Sequence, residues 1–358
     1  MRNEPGLVSI ITPCYNAAAF VAETIESVAA QTYPAVEHIV VDDGSTDATW
    51  SILQSFSSKV DALRLPANRG ASFARNRGVE RADGKFLMFL DADDLISQHT
   101  ISALVTAVQD DPSAIAFAPW RRLQLIGGRW AESPAEVPAP ALGDPLRGWL
   151  LNRWVPPCAV LWRREAYERT GGWDERLTLN DDGDLMMRAF VRGCRLVAAT
   201  GGKALYRHHG DTHLSLSNDV FSERQLRSLL LVLENLSEEL HRNGKLSRYQ
   251  DWLGRSYYRL ASLSFQQEAT LIGRECVVHA ENLVGRQATG RIWPGRLLTL
   301  LLGVERKERL VEALASIGLM TPTRRGTRAA RRFYSQQQAT LIPPSAPAAH
   351  VRQLEGDS

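Results

Sequence analysis

The amino-acid sequence predicts an α/β fold, in which a mostly parallel sheet flanked by helices is followed by a helical C-terminal region. Over the first third of the chain, short apolar runs alternate with helical patterns, which is typical of parallel strands joined by helices. From Val220 onward, long leucine-rich helical patterns replace the strands. We therefore predict a sheet domain over residues 1–218, a helical region over 219–340 and a disordered tail over 341–358.

Each element of the sheet domain is predicted from its local pattern. Short apolar runs predict strands, and apolar positions that share one face predict helices. In chain order, we expect a strand at 7–11, a helix capped by Asn16, a strand at 36–41, a helix after Asp47, a weak strand at 63–65, a helix at 72–81, a strand at 85–90, a strand at 160–162, a helix at 164–170 and a helix at 184–193. Ligands of such sheets bind beyond the carboxyl ends of the strands, so the polar segments there are the candidate site.

The composition of the chain excludes several classes of protein. Its 358 residues are 44% apolar and 23% charged, which is ordinary for a globular protein. The net charge of +2 gives no reason to expect a nucleic-acid partner. Four scattered cysteines argue against a disulfide framework and fit a reducing compartment. Since we find neither a signal peptide nor an apolar stretch of roughly 20 residues, we expect a cytoplasmic protein.

Two carboxylates, Asp91 and Asp93, follow the strongly apolar segment KFLMFL. If the chain stays extended there, alternation places both side chains on the same side. Mg²⁺ and Mn²⁺ prefer oxygen ligands and are often held by one or two carboxylates plus substrate phosphates. The alternative is a solvated acidic turn in which Asp94 caps the next helix.

The ends of the first two strands carry further polar segments. TPCYN follows the first strand, where neither a dinucleotide-binding G-x-G-x-x-G nor a phosphate-binding P-loop occurs. Tyr15 could stack on a base there, or pack in a proline turn. The segment DDGSTD after the second strand could bind a base or ribose, although its residue types favour a turn followed by a helix cap.

Two later segments contain candidate acids, bases or metal ligands. The segment NDDGD at 180–184 opens a helix, so its carboxylates either stabilise the helix N-terminus or include a general base for a substrate hydroxyl. In YRHHG, either His208 or His209 could ligate a metal as a neutral imidazole, or both could lie in a partly exposed turn. Their spacing does not match a zinc site.

Taken in order, these segments resemble the family 2 inverting glycosyltransferases, which have the GT-A fold. The similar stretches include VSIITPCYN, HIVVDDGSTDAT, NRGASFARNRGVERADGKFLMFLDADD, GGWDERLTLNDDGDLMMRA and YRHHG followed by SLS. They run from about residue 7 to residue 217, and their order and spacing are specific.

The resemblance implies roles for several residues of a nucleotide-sugar site. Pro13 and Tyr15 resemble the turn that contacts the base, and Asp43 resembles the acid that pairs with it. Arg75 lies in the segment that lines the nucleotide pocket, and Asp91 resembles the carboxylate that faces the ribose.

The resemblance also implies a metal centre and a catalytic base. Asp93 resembles the main ligand of a bound Mg²⁺ or Mn²⁺, with Asp91 as its partner and His209 completing the metal or phosphate contacts. Asp182 resembles the base that deprotonates the acceptor hydroxyl. Asp181 stands where glutamate is commoner, which leaves its own role open.

The implied reaction moves a sugar from a nucleoside-diphosphate sugar, most commonly a UDP-sugar, to an acceptor hydroxyl with inversion. The acceptor would be a glycan, a lipid-linked molecule or another hydroxyl compound, in bacterial-type polysaccharide or glycoconjugate synthesis. One alternative is a haloacid-dehalogenase-like phosphatase with Asp91 as its nucleophile, which leaves TPCYN and DDGSTD unexplained. Another is a non-catalytic nucleotide-binding scaffold. The joint presence of Asp91, Asp93, Asp182 and His209 argues against it.

The helical region allows two interpretations. Residues 321–333 carry five arginines and no acid, and together with Trp293 and the leucines of 297–302 they could lie on an anionic membrane surface. Alternatively, the leucines pack in a helical bundle or a homodimer and the arginines are solvated. The bundle is favoured because SLLLVLENL and LLTLLLGV can bury their apolar faces against each other.

Overall fold

The computed structural model describes residues 6–108, 111–126, 128–133, 140, 142–209, 221–285 and 293–316. Its strands are β1 (Val8–Cys14), β2 (Val36–Asp42), β3 (Asp61–Arg64), β4 (Phe86–Phe89), β5 (Leu95–Ile96), β6 (Ala114–Phe117), β7 (Trp120–Ile126), β8 (Arg129–Glu132), β9 (Val160–Arg163), β10 (Arg195–Ala198) and β11 (Ala204–Arg207). Its helices are α1 (Val21–Ala29), α2 (Thr49–Ser55), α3 (Ala71–Arg81), α4 (Thr100–Val108), α5 (Pro145–Leu150), α6 (Arg164–Glu168), α7 (Asp181–Val191), α8 (Glu223–Arg242), α9 (Leu246–Gln266), α10 (Thr270–Val284) and α11 (Trp293–Ser316).

The central sheet has seven strands in the order β10-β6-β9-β4-β1-β2-β3. The strands β1 to β4 run parallel to one another, and β10 runs parallel to β6. β9 lies antiparallel between β4 and β6, and so joins the two parallel groups. The predicted mostly parallel sheet with flanking helices is confirmed.

A smaller sheet of order β5-β11-β7-β8 lies beyond the carboxyl end of β4. It begins only six residues after β4 ends, because the acidic segment after Phe89 turns the chain directly into β5. β11 pairs with both β5 and β7, and the chain reaches His208 and His209 immediately after it. The small sheet therefore brings the paired histidines back to the acidic segment.

Two local predictions are corrected by the structure. β1 continues to Cys14, so Pro13 belongs to the strand and pairs in register with Val41 instead of forming a turn. Asn16 does not cap α1, which begins at Val21; its φ is 51° and its side-chain oxygen accepts the Thr46 N–H at 2.9 Å.

The helical region packs directly on the sheet domain. α8 packs on α7, and α9 packs on α5, α8, α10 and α11. Leu226 and Leu236 of α8 and Tyr257 of α9 share one hydrophobic core with the central sheet. The predicted boundary near residue 218, the arginine-rich segment 321–333 and the tail 341–358 lie outside the described residues.

The last described helix is broken at one residue. α11 contains Gly303 with φ 79° and ψ 168°, so two helical segments meet there. Beyond it, Val304 is buried in the shared core. Among the described residues, we find no helix that combines the length and apolar character needed to cross a membrane.

Candidate active site

The candidate site lies at the carboxyl ends of β1, β2 and β4. Asp43 directly follows β2 and is buried. Its carboxylate accepts the backbone N–H of Arg69 at 2.9 Å and that of Gly70 at 2.7 Å. Gly70 immediately precedes α3, so Asp43 fixes the position at which that helix begins. Each carboxylate oxygen can accept further hydrogen bonds, and the predicted contact between Asp43 and a base stays a prediction.

The close packing of α3 on β1 depends on a glycine. A Cβ atom placed on Gly78 would lie 2.4 Å from Cγ2 of Ile11, which is fully buried in β1. Any residue other than glycine at position 78 would therefore force α3 away from β1. Arg75 is located one turn earlier on the same helix and is directed into the site.

Arg75 connects two carboxylates that are distant in the sequence. Its Nη2 donates to Asp91 Oδ1 at 2.6 Å, and its Nη1 donates to Asp181 Oδ2 at 2.7 Å. The guanidinium is 5% exposed and lies 4.3 Å from the ring of Trp173. Ser72, one turn earlier on α3, donates to the same Asp181 oxygen at 2.8 Å. The buried arginine thus balances the charges of two acids that would otherwise repel each other.

Trp173 is held in place by the residue next to Arg75. The amide of Asn76 donates to the Trp173 carbonyl at 3.0 Å and accepts the Trp173 N–H at 3.1 Å. The indole packs edge-on against Phe89 at the end of β4, with 4.9 Å between ring centroids. Sequence reasoning missed Asn76 and Ser72. Ser72 lies three positions before Arg75 and four before Asn76 on α3, and this helical spacing is the signal that could have identified them.

The acidic segment after β4 is not extended, which corrects the prediction that Asp91 and Asp93 lie on the same side. It forms a turn in which the Asp94 N–H donates to the Asp91 carbonyl at 3.0 Å. The two side chains therefore separate, Asp91 toward Arg75 and Asp93 toward His209. Asp94 does not cap a helix; its buried carboxylate accepts the Arg207 N–H at 2.7 Å.

Asp93 and His209 are the two predicted metal ligands that the fold brings into contact. His209 Nε2 and Asp93 Oδ2 are 2.6 Å apart, and the imidazole is only 7% exposed. Among the described residues, no group of three or more His, Cys, Asp or Glu side chains is arranged to hold a metal ion. The two side chains are hydrogen-bonded to each other, and their carboxylate and imidazole are ligand types that a cation also held by substrate phosphates and water could use.

Asp182 is the second residue of α7 and lies beside the Arg75 cluster. Burial, followed by repulsion from Asp181, raises the pKa of the Asp182 carboxyl to about 7. The attraction of Arg75 acts in the opposite direction but is weaker than either of these. Burial also raises the pKa of Asp91, where Arg75 opposes it. Asp181, which sequence reasoning left without a role, is therefore the hydrogen-bonded partner of Arg75 and the charge that raises the pKa of Asp182.

The predicted base-contacting residues differ in exposure. Pro13 is buried within β1, whereas the ring of Tyr15 is 47% exposed just beyond the strand. Tyr15 is therefore the residue of the pair that is available to a ligand. A cavity of about 780 Å³ lies between the loop that carries Trp173 and helices α7 to α10. Trp173 is shared with the site, whereas Asp43, Asp91, Asp93, Asp182 and His209 do not line the cavity.

Residues 9–171 match the family model for glycosyl transferase family 2. A putative teichuronic acid biosynthesis glycosyltransferase, TuaG, of Bacillus subtilis is 38% identical over 130 residues, which cover 36% of this chain and 52% of that protein. The uncharacterized glycosyltransferase YibD of Escherichia coli is 41% identical over 140 residues, or 38% of this chain and 40% of that one. The chain thus spans about half or less of the length of these curated relatives.

Solved structures show the same fold. The crystal structure of S. aureus TarS 1-349 in complex with UDP-GlcNAc has a TM-score of 0.53 and 20% sequence identity, with coverage of 81% of this chain and 95% of that one. At this identity, the likeness establishes the GT-A fold and no more. The match over 9–171 includes β1 from its second residue, β2 to β4, and Asp43, Arg75, Asp91 and Asp93. By this match, the segment 9–171 of the chain is similar to glycosyl transferase family 2.

Proposed function

We propose that the chain transfers a sugar from a nucleoside-diphosphate sugar to an acceptor hydroxyl with inversion, and that Asp182 is the catalytic base. The observation that carries the proposal is the convergence of Asp91, Asp181 and Asp182 on one buried arginine at the end of β4. This arrangement leaves Asp182 as the carboxyl whose pKa of about 7 suits proton transfer near neutral pH. The phosphatase alternative gains no support from Asp91, whose carboxylate is already bound by Arg75.

Asp182 would take the proton of the acceptor hydroxyl as that oxygen attacks the anomeric carbon. Attack on the face opposite the leaving diphosphate gives inversion in one displacement. A positioned base contributes about 10²–10⁴-fold to such a step. Arg75 and Asp181 hold the start of α7 and the turn at Asp91 in one fixed arrangement, so the base and the donor site keep their relative position.

Family 2 enzymes generally use a divalent metal ion. We propose that Asp93 and His209 would hold Mg²⁺ or Mn²⁺ here, and that the ion would neutralise charge on the departing diphosphate. Because the turn directs Asp91 to Arg75 and Asp93 to His209, we assign the metal ion to Asp93 and His209 and not to Asp91.

The donor and the pathway are proposed from the relatives. A structural neighbour was solved with UDP-GlcNAc, and a relative is assigned to teichuronic acid biosynthesis. We propose a UDP-sugar as donor and a cell-surface polysaccharide or glycoconjugate as product.

Nucleotide titration tests the donor site. UDP, GDP and dTDP are titrated calorimetrically into the full chain, once with Mn²⁺ and once with EDTA. We expect metal-dependent binding of UDP. Absence of binding for all three nucleotides would contradict the proposal.

Two substitutions separate binding from chemistry. Asp182→Asn should leave the affinity for UDP unchanged. The rate at which UDP is released from the UDP-sugar should fall by about 10²-fold or more. Asp93→Ala should lose both. Asp111→Asn, at a carboxylate paired with Arg195 before β6, is the matched control and should change neither. Full turnover by Asp182→Asn would remove the base assignment.

A further inference from the structure

The hairpin of β7 and β8 ends in two large apolar side chains that face solvent. Leu125 is 61% exposed and Ile126 is 52% exposed. Ile126 pairs with Arg129 across the turn, in which Gly128 has φ 79°. Because successive strand residues point to opposite faces, the two side chains make the tip apolar on both faces, and the tip is a candidate contact surface.

The hairpin is connected to the candidate active site through an aromatic side chain. Trp130 of β8 lies opposite Leu125 of β7, so the two side chains share one face of the hairpin. The Trp130 ring packs edge-on against His209 with 5.4 Å between centroids, and it also contacts Phe20. An apolar strip therefore extends from the metal-binding pair of the site to the tip of the hairpin.

The charged side chains along the hairpin, from Trp120 to Ala131, have one sign. Residues 120–131 contain Arg121, Arg122 and Arg129 and no acid. Arg121 and Arg129 are exposed. The nearest acid along the chain, Glu132, forms an ion pair with Lys203 of the loop before β11.

We propose that the β7–β8 hairpin binds the surface of a bilayer that contains anionic lipids, with Leu125 and Ile126 inserted among the headgroups. Arginines beside an exposed apolar tip complement both layers of such a surface, the negative headgroups and the acyl boundary. The contact differs from the one predicted for residues 321–333, which lie outside the described residues. If the proposed function also holds, the acceptor is a hydroxyl-bearing amphiphile held in the same bilayer.

Vesicle flotation of the full chain tests this proposal. The probes are vesicles of phosphatidylcholine alone and vesicles that also contain phosphatidylglycerol, at low and at physiological salt. We expect binding to the anionic vesicles that weakens with salt. Leu125→Ser with Ile126→Ser should reduce that binding by about tenfold or more. The matched control, Leu271→Ser with Val278→Ser, removes two side chains of similar exposure from α10 and should leave binding unchanged.

A second pair of variants tests the charges. Arg121→Gln with Arg129→Gln should weaken binding to anionic vesicles, whereas Arg224→Gln with Arg255→Gln, at exposed sites on α8 and α9, should not. The proposal is overturned if the wild-type chain does not float, if the hairpin variants bind as the wild type does, or if both control pairs lose binding equally. UDP titration of the same variants keeps the two proposals apart, because a failed donor site abolishes nucleotide binding and leaves flotation unaffected.

Discussion

Arg75 is the residue on which the geometry of the candidate site depends most. Its two terminal nitrogens are bound by carboxylates that lie 16 and 106 positions further along the chain. Its guanidinium plane rests on Trp173, which adds a cation–π contact of the kind worth about 1–2 kcal/mol when it is removed from water. Lysine could not replace it, because a single ammonium cannot make the same two directed contacts.

At the scale of single residues, we expect the rate of UDP release to depend on the ionisation of Asp182. Its carboxyl has a pKa of about 7 and must be deprotonated to accept a proton. The rate should therefore rise with pH up to about 7 and level off above it. In Asp181→Asn the neighbouring negative charge is gone, so the pKa of Asp182 falls and the rising limb moves to lower pH.

The pH–rate profile measured between pH 5 and 9 checks this expectation. Asp111→Asn removes an equal charge far from Asp182 and should leave the limb in place. If the rising limb of Asp181→Asn lies at the same pH as that of the wild type, a group other than Asp182 controls the pH dependence.

At the scale of elements, we expect Gly78→Ala to loosen α3 from β1. In a helix, alanine is more favourable than glycine by about 1 kcal/mol. Here, however, the methyl group of alanine would clash with the fully buried Ile11. Overpacking of this kind costs about 1–3 kcal/mol, so the free energy of unfolding should fall. UDP release should fall as well, since Arg75 moves with the helix.

Urea unfolding and the release assay measure these two effects. Gly143→Ala is the matched control, because a Cβ atom there meets nothing within 4 Å. Equal stability and activity in the two variants would contradict the close-packing argument.

Elements with a strong local pattern could be predicted from the sequence, and elements fixed by tertiary contacts could not. The apolar run at Phe86–Phe89 and the periodic leucines of α8 are local signals, and both gave the right element. The turn after β4 depends on Asp94 accepting the backbone N–H of Arg207, a residue more than a hundred positions away. The extended conformation expected for Asp91 to Asp93 was wrong for that reason.

The same distinction applies to the site residues. The order of the motifs identified Asp93 and His209, which the fold places in contact. The partners of Arg75 could not be predicted, because a buried ion pair between distant residues has no periodic signal in the sequence. The metal, base and nucleotide roles of these residues stay predictions until they are measured.

At the scale of the whole molecule, the helical region forms part of the site's support. Ser228 of α8 accepts the backbone N–H groups of Thr178 and Leu179 at 2.9 and 3.0 Å, and its hydroxyl donates to the Leu179 carbonyl. These residues immediately precede the start of α7. α8, which lies outside the family match as α7 itself does, therefore helps to position Asp182.

We expect Ser228→Ala to lower the rate of UDP release by about tenfold or more while UDP affinity is kept, because small displacements of a base are costly. Loss of the hydroxyl leaves two backbone donors without a partner, so stability should fall by about 1–3 kcal/mol. Ser237→Ala on the same helix is the control. An unchanged rate in Ser228→Ala would show that the sheet domain positions Asp182 by itself.

The antiparallel placement of β9 has a consequence for how the chain is made. As the protein leaves the ribosome, β1 to β4 can pair as soon as they have emerged. β6 has no strand to pair with until β9, which ends at Arg163, has emerged as well. Throughout that interval the growing sheet exposes the edge of β4, whose four residues are all buried in the finished protein. Open apolar edges recruit other chains. We therefore expect synthesis to be the stage at which this protein is most prone to aggregate, and chaperones to act on it before β9 closes the sheet.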